Sequence, residues 1–232
     1  MKLHLFVISW HGMHEKALNI AKQSIEDTYK TTVIYSNNQE SNENGDGEWI
    51  KVPNEYFYGR KLKKALHLNE GDLCMIIQAD ADSENWPGLI ERTKEVFSLY
   101  EKIGVYAPDV DMSAFESASI NMGTYKDSLI HAAFTDGICF CISKAIAHRL
   151  LDSDLDNNNI GWGTNALMCS FARTKKIHVL RDLSIQIKHP RGSGYSHIKA
   201  MTQMNAYINT FTEEEKKAYN ELNTFYLMKK NQ

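Results

Sequence analysis

The sequence of 232 residues is poor in several things, and each shortage excludes a class of protein. It has only four cysteines, Cys74, Cys139, Cys141 and Cys169, each in or beside an apolar stretch. The N-terminus carries one lysine and then turns polar too soon for a secretion signal. A disulfide framework is therefore excluded, and reduced core thiols in a cytoplasmic protein are expected. Cys139 and Cys141 share one face of a strand, yet a two-thiol metal site finds no further ligands beside them. No apolar run approaches the roughly 20 residues that span a bilayer, so no transmembrane segment is expected. Positive charge is not in excess, with 26 Lys and Arg against 29 Asp and Glu. That argues against a nucleic-acid partner held by bulk charge. There is no internal repeat and no clear linker, which favours one domain over residues 1–232.

Apolar residues are not scarce. They make up 43% of the chain at a net charge of −3, which excludes disorder as the main state. A chain of 26.5 kDa is expected to expose about 10,700 Å² when folded, burying roughly 70% of its extended surface. Leu3 to Ser9 is a continuous apolar run, the pattern of a strand buried on both faces. Ala17, Leu18, Ile20, Ala21 and Ile25 follow at helical spacing, then a strand over Thr32–Ser36. Asn37 to Glu48 is polar and reads as a loop, and Gly59 to Leu68 as a helix with exposed basic positions. Leu73–Gln78 is a third buried strand. Leu89, Ile90, Thr93, Val96, Phe97 and Tyr100 trace a helix face, and a fourth strand, Ile103–Tyr106, is stopped by Pro108. This alternation predicts an α/β fold with a mostly parallel sheet. The C-terminal region is helical, with a capping box from Thr212 to Glu215.

The third strand ends in Gln78-Ala79-Asp80-Ala81-Asp82-Ser83. Ligands of open α/β sheets bind outside the carboxyl ends of strands. Strand geometry aims residues i and i+2 to one side, so Asp80 and Asp82 bring two carboxylates together there. Such a pair repels unless a cation lies between, and hard oxygen ligands suit Mn²⁺ or Mg²⁺. The plainer role for Asp82 or Ser83 is to cap the helix that begins near Trp86. Downstream, His189 ends a short apolar strand before Pro190 and a glycine-rich loop, where it can supply a third metal ligand. Its imidazole favours Mn²⁺. Arg191 can pair with phosphate oxygens, and Gly192 and Gly194 give that loop the freedom to close over a ligand.

Asp-Ala-Asp after a buried strand, Gly161-Trp162-Gly163-Thr164-Asn165, and His189-Pro190-Arg191-Gly192-Ser193-Gly194-Tyr195 together resemble the nucleotide-sugar glycosyltransferases of the GT-A fold. The likeness covers residues 1 to about 200, and a chlorovirus rhamnosyltransferase domain of similar size is among the members it resembles. The resemblance implies a GT-A-like three-layer α/β/α sandwich with a central, mostly parallel sheet. It implies a donor-binding half over 1–110, an acceptor-side half over 111–200 and C-terminal helices over 201–232. It also implies a metal-dependent transfer from a nucleoside diphosphate sugar, most commonly a uridine donor, to a glycan or other hydroxyl acceptor. Asp80, Asp82 and His189 are then the metal ligands. Ser9, Ser36, Asn37, Tyr58, Lys61, Gln78 and Arg191 belong to the donor site, and Trp162, Gly163 and Asn165 to the acceptor side.

One departure bears on catalysis. Many inverting members carry an acid where this chain has Thr164-Asn165, and Asn cannot act as a base. Either another carboxylate is the base, or the enzyme is of the retaining type, or activity is lost. For the first, Asp136, before the apolar run Ile138–Ile142, is the substitute expected to take the acceptor proton, and Asp109 and Asp111 beside Pro108 come after it. Two rivals stand beside this reading. Nucleotidyl transfer usually needs a Gly-rich basic loop after the first strand, and Trp10-His11-Gly12-Met13-His14 has one glycine and no Lys or Arg. A non-catalytic nucleotide- or glycan-binding module would explain Asn165. Met201, Met204 and Tyr207 read as core or helix contacts, and Asp152–Asp156 as a solvated loop.

Overall fold

A computed structural model of the chain describes residues 1–36, 47–190 and 194–232. Asn37 and Arg191, both expected in the donor site, lie outside the described residues. The first strand, β1 (Leu3–Ser9), lies between β2 (Lys30–Ser36) and β4 (Leu73–Gln78), with β3 (Glu48–Val52) outside β2. All four run parallel. Beyond β4 come β8 (Cys139–Ser143), β5 (Ile103–Val110), β9 (His178–Ile187), β7 (Leu129–Ala132) and β6 (Asn121–Lys126). Within this sheet β7 and β8 alone run against the common direction.

Alternation along the strands feeds two cores. Phe6, Ile8, Cys74 and Ile76 point to one face, where α2 (Tyr58–Leu68), α5 (Lys144–Leu151), α6 (Thr164–Lys175), α7 (His197–Asn209) and α8 (Glu213–Lys230) cover them. Leu5, Val7, Met75 and Ile77 point to the other, beneath α1 (His14–Ser24) and α3 (Trp86–Leu99). A short α4 (Ser117–Ile120) joins the first core through Ile120. The result is the expected three-layer sandwich. Its accessible surface is 11101 Å², close to the expectation from mass. The four cysteines are free and buried. Among the described residues no helix is long and apolar enough to cross a membrane.

Several local expectations are corrected. β5 does not stop at Pro108 but runs to Val110. Its pairing with β9 shifts register between Pro108 and Asp109, so the proline's missing N–H falls at a bulge. That extension delivers Asp109 and Asp111 to the same sheet edge as β4. The β6–β7 hairpin, turned at Asp127 with φ 50°, has no alternating apolar signature because β6 is an exposed edge strand. Lys61, expected on an exposed helix face, is only 2% exposed. In the acidic run, Leu155 is fully buried and Ser153 bonds to the Tyr207 hydroxyl. Of the α7 residues Tyr207 is core, whereas Met201 is 43% exposed. The capping box of α8 forms as expected, and Glu215 also holds Arg149 bidentately.

Candidate active site

The chain turns at the end of β4, where the Ala81 N–H donates to the Gln78 carbonyl. Asp82 and Lys188 then exchange backbone hydrogen bonds at 2.9 Å in both directions, zipping this turn to the end of β9. The next residue, His189, is thereby set against Asp80, with Nε2 3.3 Å from Oδ2. The other oxygen, Asp80 Oδ1, is buried without a partner. The His189 N–H donates to Asp111 Oδ1 at 2.7 Å, and the Asp111 N–H to the Ile187 carbonyl. Three strand ends therefore meet at the Asp80–His189 pair. Asp82 is exposed beside it. Neither Asp82 nor Ser83 caps α3. Asn85 does, its Oδ1 accepting from the Gly88 N–H at 2.9 Å.

Among the described residues no three His, Cys, Asp or Glu side chains stand together as a closed metal-holding group. Asp80 and His189 nevertheless place an oxygen and a nitrogen donor in contact, with a second, unpaired oxygen on the same carboxylate. That set fits a hard divalent ion that keeps water and phosphate ligands, and it does not fit an all-protein cage.

On the other side of β4, Lys61 reaches from α2 to the end of β1, where Nζ donates to the Ser9 carbonyl at 2.6 Å. Burial lowers the Lys61 pKa to about 8. Ser9 Oγ is buried without a partner. So is the Tyr58 hydroxyl, whose pKa burial pushes far up. Gln78 is committed to the scaffold, its side-chain amide donating to the Gly137 carbonyl at 2.8 Å. Ser36 is buried at the end of β2. His14 begins α1 with its ring 4.9 Å from that of Trp49.

The N-terminus of α2 has no cap of its own, and Asn159 supplies one from across the molecule. The Phe57 N–H donates to Asn159 Oδ1 at 2.9 Å and the Gly59 N–H to the Asn159 carbonyl at 2.8 Å. Asn159 Nδ2 closes the clasp on the Glu55 carbonyl. Gly161, with φ +86°, lets the Tyr58 ring pack flush against it; a Cβ there would lie 2.4 Å from the ring. Tyr58 and Lys61 are thus aimed by the glycine turn of residues 159–161.

Just before α6, Trp162 Nε1 donates to the Tyr195 hydroxyl at 2.7 Å. Gly163, with φ +87°, precedes α6, and Asn165 Nδ2 donates to the Thr135 carbonyl at 2.9 Å. Asp136 is 5% exposed. Its Oδ2 accepts from the fully buried Arg181 at 2.7 Å and its Oδ1 from the Ser113 hydroxyl at 2.5 Å. Burial raises the Asp136 pKa, against the pull of Arg181 and Ser113. A cavity of about 580 Å³ opens in front of this group, lined by Asp109, Asp111, Ser113, Glu116 and Ser117 among others.

No family model matches the chain, and no curated sequence does. Solved structures do. A mannosyltransferase from Pyrobaculum calidifontis, in complex with GDP-mannose and Mn²⁺, superposes with TM-score 0.67 at 11% identity, over 97% of this chain and 69% of that one. GalNAc-T7 with UDP, GalNAc and Mn²⁺ gives 0.68 at 11% identity, over 93% of this chain and 49% of that one. The fold is GT-A. The CMP-2-keto-3-deoxy-manno-octonic acid synthetase complexed with CTP gives 0.55 at 12% identity, over 90% of this chain and 99% of that one. This chain spans about half the length of GalNAc-T7.

The expected residues fall into three groups: Ser9, Ser36, Tyr58 and Lys61 about the ends of β1 and β2 and the start of α2; Asp80 and His189, with Asp82 alongside, where β4, β5 and β9 end; and Asp136, Trp162, Gly163 and Asn165 about the start of α6. Sequence reasoning missed Ser113, Asn159 and Arg181. Arg181 carried no clean signal, because Val179–Ile187 mixes it with Asp182, Ser184 and Gln186. Ser113 and Asn159 carried none, because each works through partners remote in the chain.

Proposed function

We propose that the chain is a glycosyltransferase that moves a sugar from a nucleoside diphosphate to an acceptor hydroxyl, with Mn²⁺ or Mg²⁺ as cofactor. The observation that carries this reading is the Asp80–His189 contact with a buried carboxylate oxygen left unpaired. A buried acceptor without a partner costs about 1–3 kcal/mol, which a ligand would recover. Asp80 and His189, with Asp82 alongside, would hold the divalent ion. When bound, the ion supplies Lewis-acid stabilisation of the departing diphosphate. Lys61 adds a fixed positive charge at the same edge, in a site where burial strengthens electrostatic interactions. Ser9 Oγ and the Tyr58 hydroxyl are free to bond the donor. Asp136 takes the acceptor proton; its raised pKa suits a base. Asn165, fastened to the Thr135 carbonyl, shapes the acceptor wall.

Two observations favour other readings. The fold is shared with a CTP-complexed synthetase, which keeps nucleotidyl transfer in view. The residues after β1, Trp10 to His14, offer no lysine or arginine for that chemistry. Asn165, in place of an acid, favours a module that binds a nucleotide or glycan without turnover. The experiment measures turnover of UDP- and GDP-sugars with and without Mn²⁺ for the wild type, Asp80→Asn and His189→Ala. Metal-dependent turnover that falls at least ~100-fold in both variants is expected. Equal turnover in variant and wild type rejects the metal assignment, and nucleotide binding without turnover in the wild type favours the binding module.

A further inference from the structure

Asp136 and the cavity beside it are separated by one side chain. Asp136 does not line the cavity; Ser113 does. A serine hydroxyl has one proton to donate and two lone pairs to accept with. Here the proton goes to Asp136 Oδ1 at 2.5 Å, and one lone pair accepts from the Phe115 N–H at 2.8 Å. One lone pair is left over on a residue of the cavity wall. On the far side of Asp136, Arg181 bonds Oδ2 and also holds the wall itself, donating to the Phe115 carbonyl at 2.7 Å. The relay and its backstop are therefore parts of one rigid unit.

We infer that Ser113 is a catalytic residue, a proton relay that receives the acceptor hydroxyl proton and passes its own to Asp136. This rests on the glycosyl-transfer reading above and adds to it both the relay and the cavity of residues 109–117 as the seat of a polyhydroxyl acceptor. As the acceptor oxygen bonds to the anomeric carbon, the anomeric carbon–oxygen bond to the diphosphate breaks, and its electron pair leaves with the phosphate. The acceptor proton moves to Ser113 Oγ, the Ser113 proton moves to Asp136 Oδ1, and Asp136 ends neutral beside Arg181. Burial of Asp136 raises its affinity for that proton. Carboxylates in the cavity wall, Asp109, Asp111 and Glu116, offer acceptors for the remaining sugar hydroxyls.

The test compares wild type, Ser113→Ala, Ser113→Thr, Asp136→Asn and the Ala–Asn double variant. It measures Mn²⁺-dependent transfer from UDP- and GDP-sugars to mono- and oligosaccharides, with UDP and GDP affinity and melting temperature measured in parallel. Transfer is expected to fall at least ~100-fold in Ser113→Ala at unchanged nucleotide affinity, and to stay within about tenfold of wild type in Ser113→Thr. The double variant loses no more than the worse single one, because the two residues act as a unit. Transfer by Ser113→Ala within about threefold of wild type, a Thr variant as slow as the Ala variant, or multiplicative losses in the double variant overturns the relay alone. A wild type that binds the nucleotides and transfers nothing overturns the glycosyl-transfer reading and the relay with it.

Discussion

Two carboxylates three strands apart in the sheet order, Asp182 fully buried and Asp80 half-buried, are treated in opposite ways. Asp182, on β9, accepts from Arg92 Nε at 2.9 Å, the Tyr106 hydroxyl at 3.3 Å, and the Ser128 and Ser184 hydroxyls at 2.6 Å each. Burial pushes its pKa up, and the hydrogen bonds from the serines and Arg92 outweigh that, holding it below the usual carboxylate range. Asp80, at the end of β4, has one oxygen against His189 and the other buried with no partner. Ser9 Oγ and the Tyr58 hydroxyl are likewise unpaired at that edge. A polar group saturated by its own chain anchors the fold. A polar group left short is what a ligand can complete.

The largest effect that would test this contrast is on stability. Asp182→Ala leaves Arg92 with Glu95 alone and takes the acceptor from three hydroxyls, and should cost about 3–5 kcal/mol in chemical denaturation. Asp80→Asn should change stability by less than about 1 kcal/mol, since only an unsaturated site is altered. A similar cost for both would erase the distinction. Next comes the glycine turn. Gly161→Ala puts a Cβ 2.4 Å from the Tyr58 ring at a left-handed φ, and Asn159→Ala removes the cap of α2. Each should cost about 1–2 kcal/mol and weaken nucleoside diphosphate binding in calorimetry, because Tyr58 and Lys61 lose their aim. Unchanged nucleotide affinity in both would detach the turn from the proposed donor site.

The smallest effect is a proton. Lys61 has a folded pKa of about 8 against an ordinary 10.5. Between those values the unfolded chain binds more protons, so this residue's contribution makes stability rise with pH across that window. Its cost is fully present below pH 8 and fades as pH approaches 10.5. A bound diphosphate stabilises the ammonium and raises that pKa. Nucleotide binding at pH 8.5 should therefore take up a fraction of a proton, read by calorimetry in two buffers of different ionisation enthalpy, and Lys61→Met should abolish the uptake. No uptake by the wild type would mean that the anion binds away from Lys61.

Much of this was legible in the chain. The apolar runs of β1, β2 and β4, and the acidic pair after β4, need no partner to be read, because burial on both faces demands continuous hydrophobicity. His189 was legible too, as an imidazole after an apolar stretch. The extension of β5 through Pro108 was not, since it depends on a bulge opposite β9. Nor was the edge hairpin β6–β7, whose half-exposed residues follow no clean alternation. The cap of α3 by Asn85 in place of Asp82 or Ser83 was a choice among three neighbours that only backbone geometry could make.

By itself the sequence determined the layer architecture and the chemistry available, because periodicity and residue type are properties of the chain alone. Tertiary structure decided which polar groups were satisfied and which were left wanting: that Asp80 meets His189, that Lys61 is drawn inside, that Asn159 caps a distant helix. Those outcomes turn on hydrogen bonds a few ångströms long between segments far apart in the chain, and such distances exist only once the sheet has brought the strand ends together.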